Sequence, residues 1–295
     1  MDFKSGFVTI IGRPNVGKST LLNNIIGEKI AIISDKPQTT RNKIQCVYTE
    51  DDFQIVFLDT PGLHKPKNKL GDYMVRVANN TLNDVDVVLW LVDESTKMGP
   101  GDKYILEQLK EIKTPKILVI NKIDKISGED VEGIISNYKD YDFFDHIVPI
   151  SALNNKGVNK LIDYIKGMLP VGPKYFPDDM ITDQPERLII GEIIREKALH
   201  YLEQEVPHGI AVGIDLIRQR EGQDIVDINA TIYCERDSHK GIIIGKKGRK
   251  LKGIGKSSRI DIERLLGSKV YLELWVKVNK NWRDKEKILK NFGYR

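Results

Sequence analysis

The chain has 295 residues, of which 40% are hydrophobic and 30% are charged. This composition is typical of a folded globular protein and excludes a disordered chain, and the length suggests about two domains. The longest apolar run, VDVVLWLV, is too short to cross a bilayer. The first residues, MDFKSGFVTIIG, lack a basic segment before the apolar stretch, so we expect no signal peptide and a cytoplasmic protein. Cys46 and Cys234 stand apart from any CxxC pair and are expected to be reduced thiols.

The formal net charge of +4 is unevenly distributed along the chain. Residues 186–295 contain 23 Lys and Arg against 16 Asp and Glu, a surplus of seven. Eight basic residues and no acidic residue lie between Lys240 and Ile260. A solvated helix face is the alternative explanation, but a run this unbalanced favours a surface that binds a polyanion.

The first 170 residues alternate apolar strands with amphipathic helices. Continuous apolar strands such as FVTII, VDVVLWLVD and KILVINK predict a doubly wound α/β domain with a parallel sheet. The stretches KIQCVYT and FQIVFLD, separated by EDD, predict one antiparallel edge pair. Residues 171–185 are rich in proline and lack periodicity, which indicates a linker. Residues 186–295 then predict an α+β domain that ends in a basic tail.

The stretch GRPNVGKST follows a predicted strand and precedes a predicted helix. It matches GxxxxGK[ST], a loop whose backbone N–H groups turn inward around phosphates at a helix N-terminus. Lys18 is expected to reach the β- and γ-phosphates and Ser19 to ligate Mg²⁺. A structural glycine turn is the alternative. The predicted nucleotide contacts in this loop are Gly12, Arg13, Pro14, Asn15, Val16, Gly17, Lys18, Ser19 and Thr20.

Three more tetrad-like motifs, DTPG, NKID and SAL, each follow a predicted strand. In an open α/β sheet ligands bind at the carboxyl ends of the strands, so Asp59 is expected near the metal and the Gly62 N–H near a γ-phosphate. Together with the P-loop, the set resembles the signature of translation-factor-class GTPases. The predicted contacts from these motifs are Asp59, Thr60, Pro61, Gly62, Leu63, Asn121, Lys122, Asp124, Ser151, Ala152 and Leu153.

Asp124 is expected to select the base. Its carboxylate accepts from the N1–H and the exocyclic amine of guanine, whereas adenine would leave it buried and unpaired, a loss that reaches about 10⁴–10⁵ in discrimination. Asn121 is expected to brace the loop, the stem of Lys122 to cover the base, and the Ala152 amide to point at guanine O6. The predicted nucleotide is therefore GTP and not ATP.

The loop SDKPQTTRNK lies between the first helix and the hairpin. The resemblance to GTPases implies a threonine here that completes the Mg²⁺ shell when a γ-phosphate is present. Thr39 and Thr40 both qualify, and we favour Thr40; an ordinary polar surface loop is the alternative. With Lys18 and Gly62, Thr40 makes up the predicted catalytic set.

A second glycine–lysine stretch, GIIIGKKGRKLKGIGK, lies near the C-terminus. It lacks the Ser or Thr that would hold Mg²⁺, so a second triphosphate site is not expected. Its order within helix–strand–strand–helix–GXXG–helix–strand matches the KH module, whose GXXG loop clamps about four nucleotides of single-stranded RNA. An apolar surface from residues 242–244 is expected to support the bases. The predicted RNA contacts are Gly245, Lys246, Lys247, Gly248, Arg249 and Lys250.

Taken together, GRPNVGKS, QTTRNK, DTPGLH, NKID, SAL and the C-terminal stretch resemble bacterial Era-type GTPases over nearly the whole chain. The resemblance implies a Ras-like G domain joined to a type II KH domain, and a Mg²⁺-dependent GTPase. It also implies binding near the 3′ end of small-subunit ribosomal RNA, a role in small-subunit maturation, and association with the cytoplasmic face of the membrane. We expect a monomer that does not bind DNA. The alternatives are a signalling GTPase whose second domain binds protein or membrane, and a metabolic nucleotide-dependent enzyme.

Hydrolysis raises a separate question at position 63. Ras-like enzymes place a water-orienting glutamine directly after DxxG, whereas this chain has Leu63 there. Intrinsic turnover is therefore expected to be slow. The resemblance to related GTPases implies that Asn15 holds a potassium ion against the phosphates, and the alternative is that Asn15 only stiffens the loop.

Overall fold

The computed structural model describes most of the chain, and its contacts divide into two compact units. The described residues are 2–34, 36, 39–61, 68–82 and 84–294, with only the backbone described at position 79. The first unit comprises Met1–Ala31, Thr40–Pro66 and Gly71–Asp183, and the second comprises Ile32–Thr39, Lys67–Leu70 and Gln184–Arg295.

The first unit is built on a six-stranded sheet with the order β2-β3-β1-β4-β5-β6. The pair β2–β3 is antiparallel, and every other neighbouring pair is parallel. This arrangement confirms the doubly wound fold and its antiparallel edge pair. The strands are β1 (Lys4–Gly12), β2 (Ile44–Thr49), β3 (Phe53–Asp59), β4 (Val87–Val92), β5 (Lys116–Ile120) and β6 (His146–Pro149). The helices are α1 (Lys18–Ile26), α2 (Lys69–Leu82), α3 (Pro100–Lys110), α4 (Gly128–Ser136) and α5 (Val158–Met168).

Two hydrophobic cores cover the two faces of this sheet. Successive strand residues point to opposite faces, and in β4 all six are buried. Leu89 and Leu91 belong to one core cluster, while Val88 and Trp90 belong to the other. A continuous apolar run is therefore what a strand covered by helices on both faces requires.

The proline-rich residues 171–183 are hydrogen-bonded along the first unit. The side chain of Gln54 accepts from the N–H groups of Tyr175 and Phe176 and donates to the carbonyl of Phe176. Further along, the N–H of Val47 donates to the carbonyl of Ile181 at 2.9 Å. A sequence without periodicity thus finds its hydrogen-bond partners in side chains and at the free edge of β2.

The second unit is an α+β structure with a three-stranded sheet of order β7-β8-β9. β7 is antiparallel to β8, and β8 is parallel to β9. One face of the sheet packs on the helices through a single apolar cluster. This helix–strand–strand–helix–helix–strand order confirms the predicted KH arrangement. The elements are α6 (Glu186–Tyr201), β7 (Ala211–Gln219), β8 (Ile225–Cys234), α7 (Asp237–Ile244), α8 (Arg249–Leu266), β9 (Lys269–Val278) and α9 (Glu286–Asn291).

The residues after β9, predicted only as a basic tail, fold onto the second unit. Trp282 is fully buried, and its indole N–H donates to the carbonyl of Gly209 at 2.9 Å. The ring of Phe292, just after α9, packs edge-on against Trp282. Because lysines surround these two aromatic residues in the sequence, the segment was predicted as a basic tail and its contribution to the core was missed. Among all described residues, no helix is both long and apolar enough to cross a membrane.

Candidate functional site

The P-loop connects β1 to α1 through three residues with positive φ. Gly12, Asn15 and Gly17 have φ values of 151°, 67° and 101°. A Cβ on Gly17 would lie 2.2 Å from Nδ2 of Asn121, so this position needs glycine for space as well as for conformation. The side chain of Asn121, distant in the sequence, thus fills the space beside Gly17 and leaves no room for a larger residue there.

Lys18 lies within this loop and is buried. Its Nζ donates to the carbonyls of Gly12 at 3.1 Å and Arg13 at 2.9 Å. Burial lowers the pKa of Lys18 to about 8, although the nearby Asp59 carboxylate acts to raise it. A buried ammonium surrounded by backbone groups is suited to a phosphate, which would supply the opposite charge.

Two hydroxyls and a carboxylate meet beside Lys18. The Ser19 and Thr40 hydroxyls donate to Oδ2 of Asp59 at 3.2 Å and 3.3 Å, and they lie 3.4 Å from each other. Oδ1 of Asp59 is buried and has no hydrogen-bond partner among the described residues. Burial raises the pKa of Asp59 to about 6, against the lowering effects of Lys18, Ser19 and Thr40. An orphaned carboxylate oxygen among hydroxyl oxygens fits Mg²⁺, a hard cation with oxygen ligands.

The two candidate switch threonines are placed differently. Thr40 lies in the oxygen cluster and is buried. The hydroxyl of Thr39 donates instead to the carbonyl of Lys36 at 2.5 Å. Of the two, only Thr40 is brought to Ser19 and Asp59.

Asn121 joins the P-loop to the loop that follows β6. Its Nδ2 donates to the carbonyl of Val16, and its Oδ1 accepts from the N–H of Ala152, both at 2.9 Å. The sequence assigned the Ala152 amide to guanine O6, whereas in the structure this amide is donated to Asn121. The Ser151 hydroxyl donates to Oδ1 of Asp124, which holds that carboxylate at the same edge of the sheet.

Other predicted contacts lie at or near the site with different surroundings. The guanidinium of Arg13 is held by Asp93 at 3.0 Å and by Asp102 at 2.7 Å. The hydroxyl of Thr60 donates to the carbonyl of Ile10 at 3.4 Å, and Leu153 is 72% exposed. Gly62 and Leu63 lie outside the described residues. Pro14, Val16 and Thr20 belong to the P-loop or the first turn of α1, and Pro61 comes shortly after β3.

Sequence reasoning missed two residues that support the nucleotide loops, Glu94 and Asn24. Glu94 pairs with Lys122 at 3.4 Å and with Lys125 at 3.2 Å. The side chain of Asn24 donates to the carbonyl of Ala152. Glu94 lies two residues beyond the carboxyl end of β4, a place where site residues are expected, so its position was a usable signal. Asn24 lies inside α1 and offered none.

The GXXG loop of the second unit connects α7 to α8. Gly245, Lys247 and Gly248 have positive φ values of 72°, 53° and 74°. A Cβ on Gly245 would lie 2.9 Å from Cγ of Lys250, so the turn is tight at its start. The side chains of Lys246 and Lys247 are exposed at its tip. The loop thus presents two cations, and its first residue, Gly245, has no room for a larger side chain.

A groove of about 520 Å³ runs from this loop between α8 and β9. Leucine side chains form its apolar part and basic side chains lie along it. Among the described residues, only Arg259 of the eight-residue basic run has a carboxylate within 4 Å, Glu263 at 3.8 Å. Ile243 is buried in the core, so of the predicted apolar surface only Ile242 is exposed. The groove residues are Gly248, Leu251, Lys252, Gly255, Lys256, Arg259, Tyr271, Leu272 and Leu274.

Comparison with known proteins identifies the family. Over 294 residues the chain is 68% identical to GTPase Era of Alkaliphilus metalliredigens, covering 100% of both chains. It is 62% identical to GTPase Era of Clostridioides difficile over 99% of both chains. The chain belongs to the Era family of GTPases. It therefore binds GTP and hydrolyses it to GDP, as the motifs predicted.

Family models and solved structures match the same two parts. The model for 50S ribosome-binding GTPases matches residues 7–122, and the KH domain model matches residues 205–283. A variant of Aquifex aeolicus Era bound to GDP·AlF₄⁻ is 44% identical, with a TM-score of 0.95 over 99% of both chains. Equal values hold for an Era complex with MgGDPNP and nucleotides 1506–1542 of 16S ribosomal RNA. Because residues 7–122 contain nucleotide motifs, the first model bears on the nucleotide and not on the RNA partner.

Proposed function

We propose that this Era-family GTPase is a nucleotide switch that binds small-subunit ribosomal RNA near its 3′ end and assists maturation of the small ribosomal subunit. One observation carries the proposal: a single chain holds both a GTPase site and a KH groove in which, among the described residues, Lys252 and Lys256 have no carboxylate within 4 Å. An Era relative binds a GTP analogue and a 16S fragment in one complex, which supports the same pairing here.

Ser19, Thr40 and Asp59 are the residues that would hold Mg²⁺. Mg²⁺ held there would supply positive charge that offsets the negative charge developing on the β- and γ-phosphates during hydrolysis. Lys18 contributes a fixed positive charge at the same place and binds these phosphates before and during hydrolysis. Thr40 belongs to the loop after α1, so the conformation of that loop would depend on whether a γ-phosphate is present. The proposed catalytic set remains Lys18, Thr40 and Gly62.

Guanine selection is proposed for Asp124, held by Ser151, with Lys122 beside the base. The position of Asn121 supports this, since it ties the P-loop to the Ala152 loop and so fixes the distance between phosphates and base. In the nucleotide complex the Ala152 amide would need to turn from Asn121 toward guanine O6. The remaining P-loop, DTPG and SAL residues are proposed as contacts through their backbone.

Potassium is proposed as an additional cofactor, held by Asn15. This residue has φ of 67° and an exposed side chain at the tip of the P-loop. With Leu63 in place of a water-orienting glutamine, charge stabilisation by a monovalent cation would offset part of the missing catalysis. Intrinsic turnover is proposed to be slow.

We propose a cytoplasmic monomer that binds RNA in preference to DNA, with peripheral contact to the cytoplasmic face of the membrane. The proposed RNA contacts are Gly245, Lys246, Lys247, Gly248, Arg249 and Lys250. The proposed domain boundaries are 1–170 and 186–295, although residues 171–183 cluster with the first unit.

Ultraviolet crosslinking of the chain to RNA in cells, followed by sequencing, tests the proposed function. We expect reads concentrated near the 3′ end of small-subunit ribosomal RNA, and their loss in the double variant Lys246→Asp, Lys247→Asp. Comparison of GTP-loaded and GDP-loaded protein would show whether the nucleotide state changes the yield. Reads concentrated in large-subunit RNA, or spread without preference, would contradict the proposal.

A further inference from the structure

The sheet of the second unit has a face that the helices do not cover. Val270 and Val276 of β9 point into the helix-side core, so Tyr271 and Trp275 point to the other face. Tyr271 is 53% exposed and Trp275 is 57% exposed. At one end of this face Phe292 packs on Tyr233 with 4.9 Å between ring centroids. The remainder, which we call the aromatic face, is open among the described residues.

We propose that the aromatic face is a second RNA-binding surface, on which bases of the single strand leaving the groove stack against Tyr271 and Trp275. The inference rests on the proposed function, because it continues the path of the RNA that the groove would hold. It assigns to β9 a role on both of its sides: one side closes the groove, and the other carries stacking platforms.

The aromatic face is continuous with the groove. Tyr271 lines the groove next to Leu272 and also belongs to the aromatic face. β9 is the edge strand of the sheet, with β8 as its neighbour on one side. An RNA strand that leaves the groove over this edge therefore contacts Tyr271 first. Trp275 follows four residues later, about 13 Å along the strand, which leaves room for separate stacking on each ring.

Charged side chains surround the two rings. The guanidinium of Arg220 lies 5.3 Å from the centroid of the Tyr271 ring and pairs with Asp227 at 2.6 Å. Exposed cations flank the rings along both outer strands, with acidic side chains between them. The cations are Arg218, Lys269 and Lys277.

This mixture favours RNA over a protein partner. The core of a protein–protein interface is depleted in charged residues, whereas here charged and aromatic side chains alternate. Aromatic rings with adjacent cations are how proteins hold single strands without sequence preference, because every base has a face that can stack. The aromatic face would thus add affinity beyond the roughly four nucleotides that a GXXG loop holds.

The tryptophans give a direct readout of stacking. The chain has three, and Trp90 and Trp282 are fully buried, which leaves Trp275 as the exposed one. Two RNA probes are needed from the 3′ segment numbered 1506–1542 in the relative's complex. One is the best-binding tetranucleotide, about the length that the groove holds, and the other extends it by about four nucleotides at each end.

We expect the extended RNA to quench tryptophan fluorescence of the full chain and the tetranucleotide to leave it nearly unchanged. Trp275→Ala should lower the affinity for the extended RNA about tenfold, a typical loss for one stacked base. It should leave the affinity for the tetranucleotide unchanged. Trp275→Phe should bind the extended RNA nearly as well as wild type but without quenching. Leu216→Ala, on the same face without a ring, is the matched control and should bind like wild type.

Equal affinity of wild type and Trp275→Ala for the extended RNA would overturn the inference and leave the aromatic face to a protein partner. An equal loss for both probes would also overturn it, because the variant would then act on the groove itself. In either case binding that still depends on Lys246 and Lys247 would leave the proposed function standing. If neither probe binds wild type, the proposed function itself fails.

Discussion

The two glycine–lysine loops of this protein differ in what surrounds their lysines. Lys18 of the P-loop is buried, bonded to two backbone carbonyls, and lies beside the Ser19 hydroxyl and the Asp59 carboxylate. Lys246 and Lys247 of the GXXG loop are exposed, and the groove that begins at Gly248 of the same loop is lined by both leucine and basic side chains. A buried cation with metal-binding oxygens suits a triphosphate, whereas exposed cations beside a groove suit a strand. Burial and neighbouring oxygens decide the ligand, not the glycine–lysine pattern.

The glycines of the two loops are also required for different reasons. Gly17 is constrained by Asn121, more than 100 residues away in the sequence, so the P-loop depends on the assembled sheet. Gly245 is constrained by Lys250, five residues away, so the GXXG turn is closed locally. Each loop can therefore be disabled by itself.

Asp124→Asn should produce the largest effect. The amide would donate where guanine also donates, so GTP affinity should fall by about 10⁴-fold. Xanthosine triphosphate should bind this variant better than GTP, because its C2 carbonyl accepts from the amide. Equilibrium titration with a fluorescent nucleotide measures both affinities. RNA binding is the internal control and should not change, while unaltered GTP affinity would show that the guanine site is elsewhere.

Reversing the two loop lysines should selectively remove RNA binding. Lys246→Asp with Lys247→Asp should lower the affinity for RNA about 100-fold, because two charge-assisted contacts of at least ~1.5 kcal/mol each are lost. The slope of log affinity against log salt should become shallower by about 1.4 for a single strand. Lys285→Asp with Lys287→Asp carries the same change of charge at exposed positions near α9 and should leave RNA affinity within about twofold of wild type. A matching loss in both double variants would mean that net charge alone attracts RNA.

The buried cysteines allow the two units to be followed separately. Burial raises the pKa of the Cys46 thiol in the first unit and of the Cys234 thiol in the second, so both should resist a thiol reagent while folded. GTP at ten times its Kd stabilises the unit that binds it by ~1.4 kcal/mol. Cys46 should then be modified about tenfold more slowly, with little change for Cys234.

Mass spectrometry of the modified peptides resolves the two rates. The control is ATP at the same concentration, which should protect neither thiol. Equal protection of both thiols by GTP would show that the two units open together.

Potassium should produce the smallest change. Hydrolysis should be several-fold faster in potassium than in sodium at equal ionic strength and saturating Mg²⁺. The side-chain oxygen of Asn15 would form part of an oxygen cage that fits the larger potassium ion. Asn15→Ala should abolish the difference and retain GTP affinity. Phosphate release assays give the rates. Equal rates in both salts for the wild-type chain would refute the potassium proposal.

The sequence predicted those features whose determinants lie close together in the chain. Both phosphate loops combine glycine turns with lysines within a few residues, and the apolar strands of the first unit read as buried without any knowledge of their neighbours. Residues distant in the sequence were harder. The hydrogen bond that takes the Ala152 amide to Asn121 spans 31 residues, and no local pattern marks it.

Other misses have a similar cause. Trp282 reads as one aromatic residue in a basic stretch, and only its bond to Gly209 makes it part of a core. Gln54 gives no signal of the hydrogen bonds that it makes to Tyr175 and Phe176. Single-sequence patterns describe periodicity and turns, whereas these contacts depend on which strands end up adjacent.

Native mass spectrometry of the chain with GTP, Mg²⁺ and the extended RNA tests whether the two loops hold two different kinds of phosphate. We expect a ternary complex of one chain, one GTP and one RNA. We also expect Asp124→Asn to form only the RNA complex, and the Lys246→Asp, Lys247→Asp variant to form only the GTP complex. Binary complexes alone, with GTP and RNA displacing each other completely, would contradict this expectation and show that one loop serves both ligands.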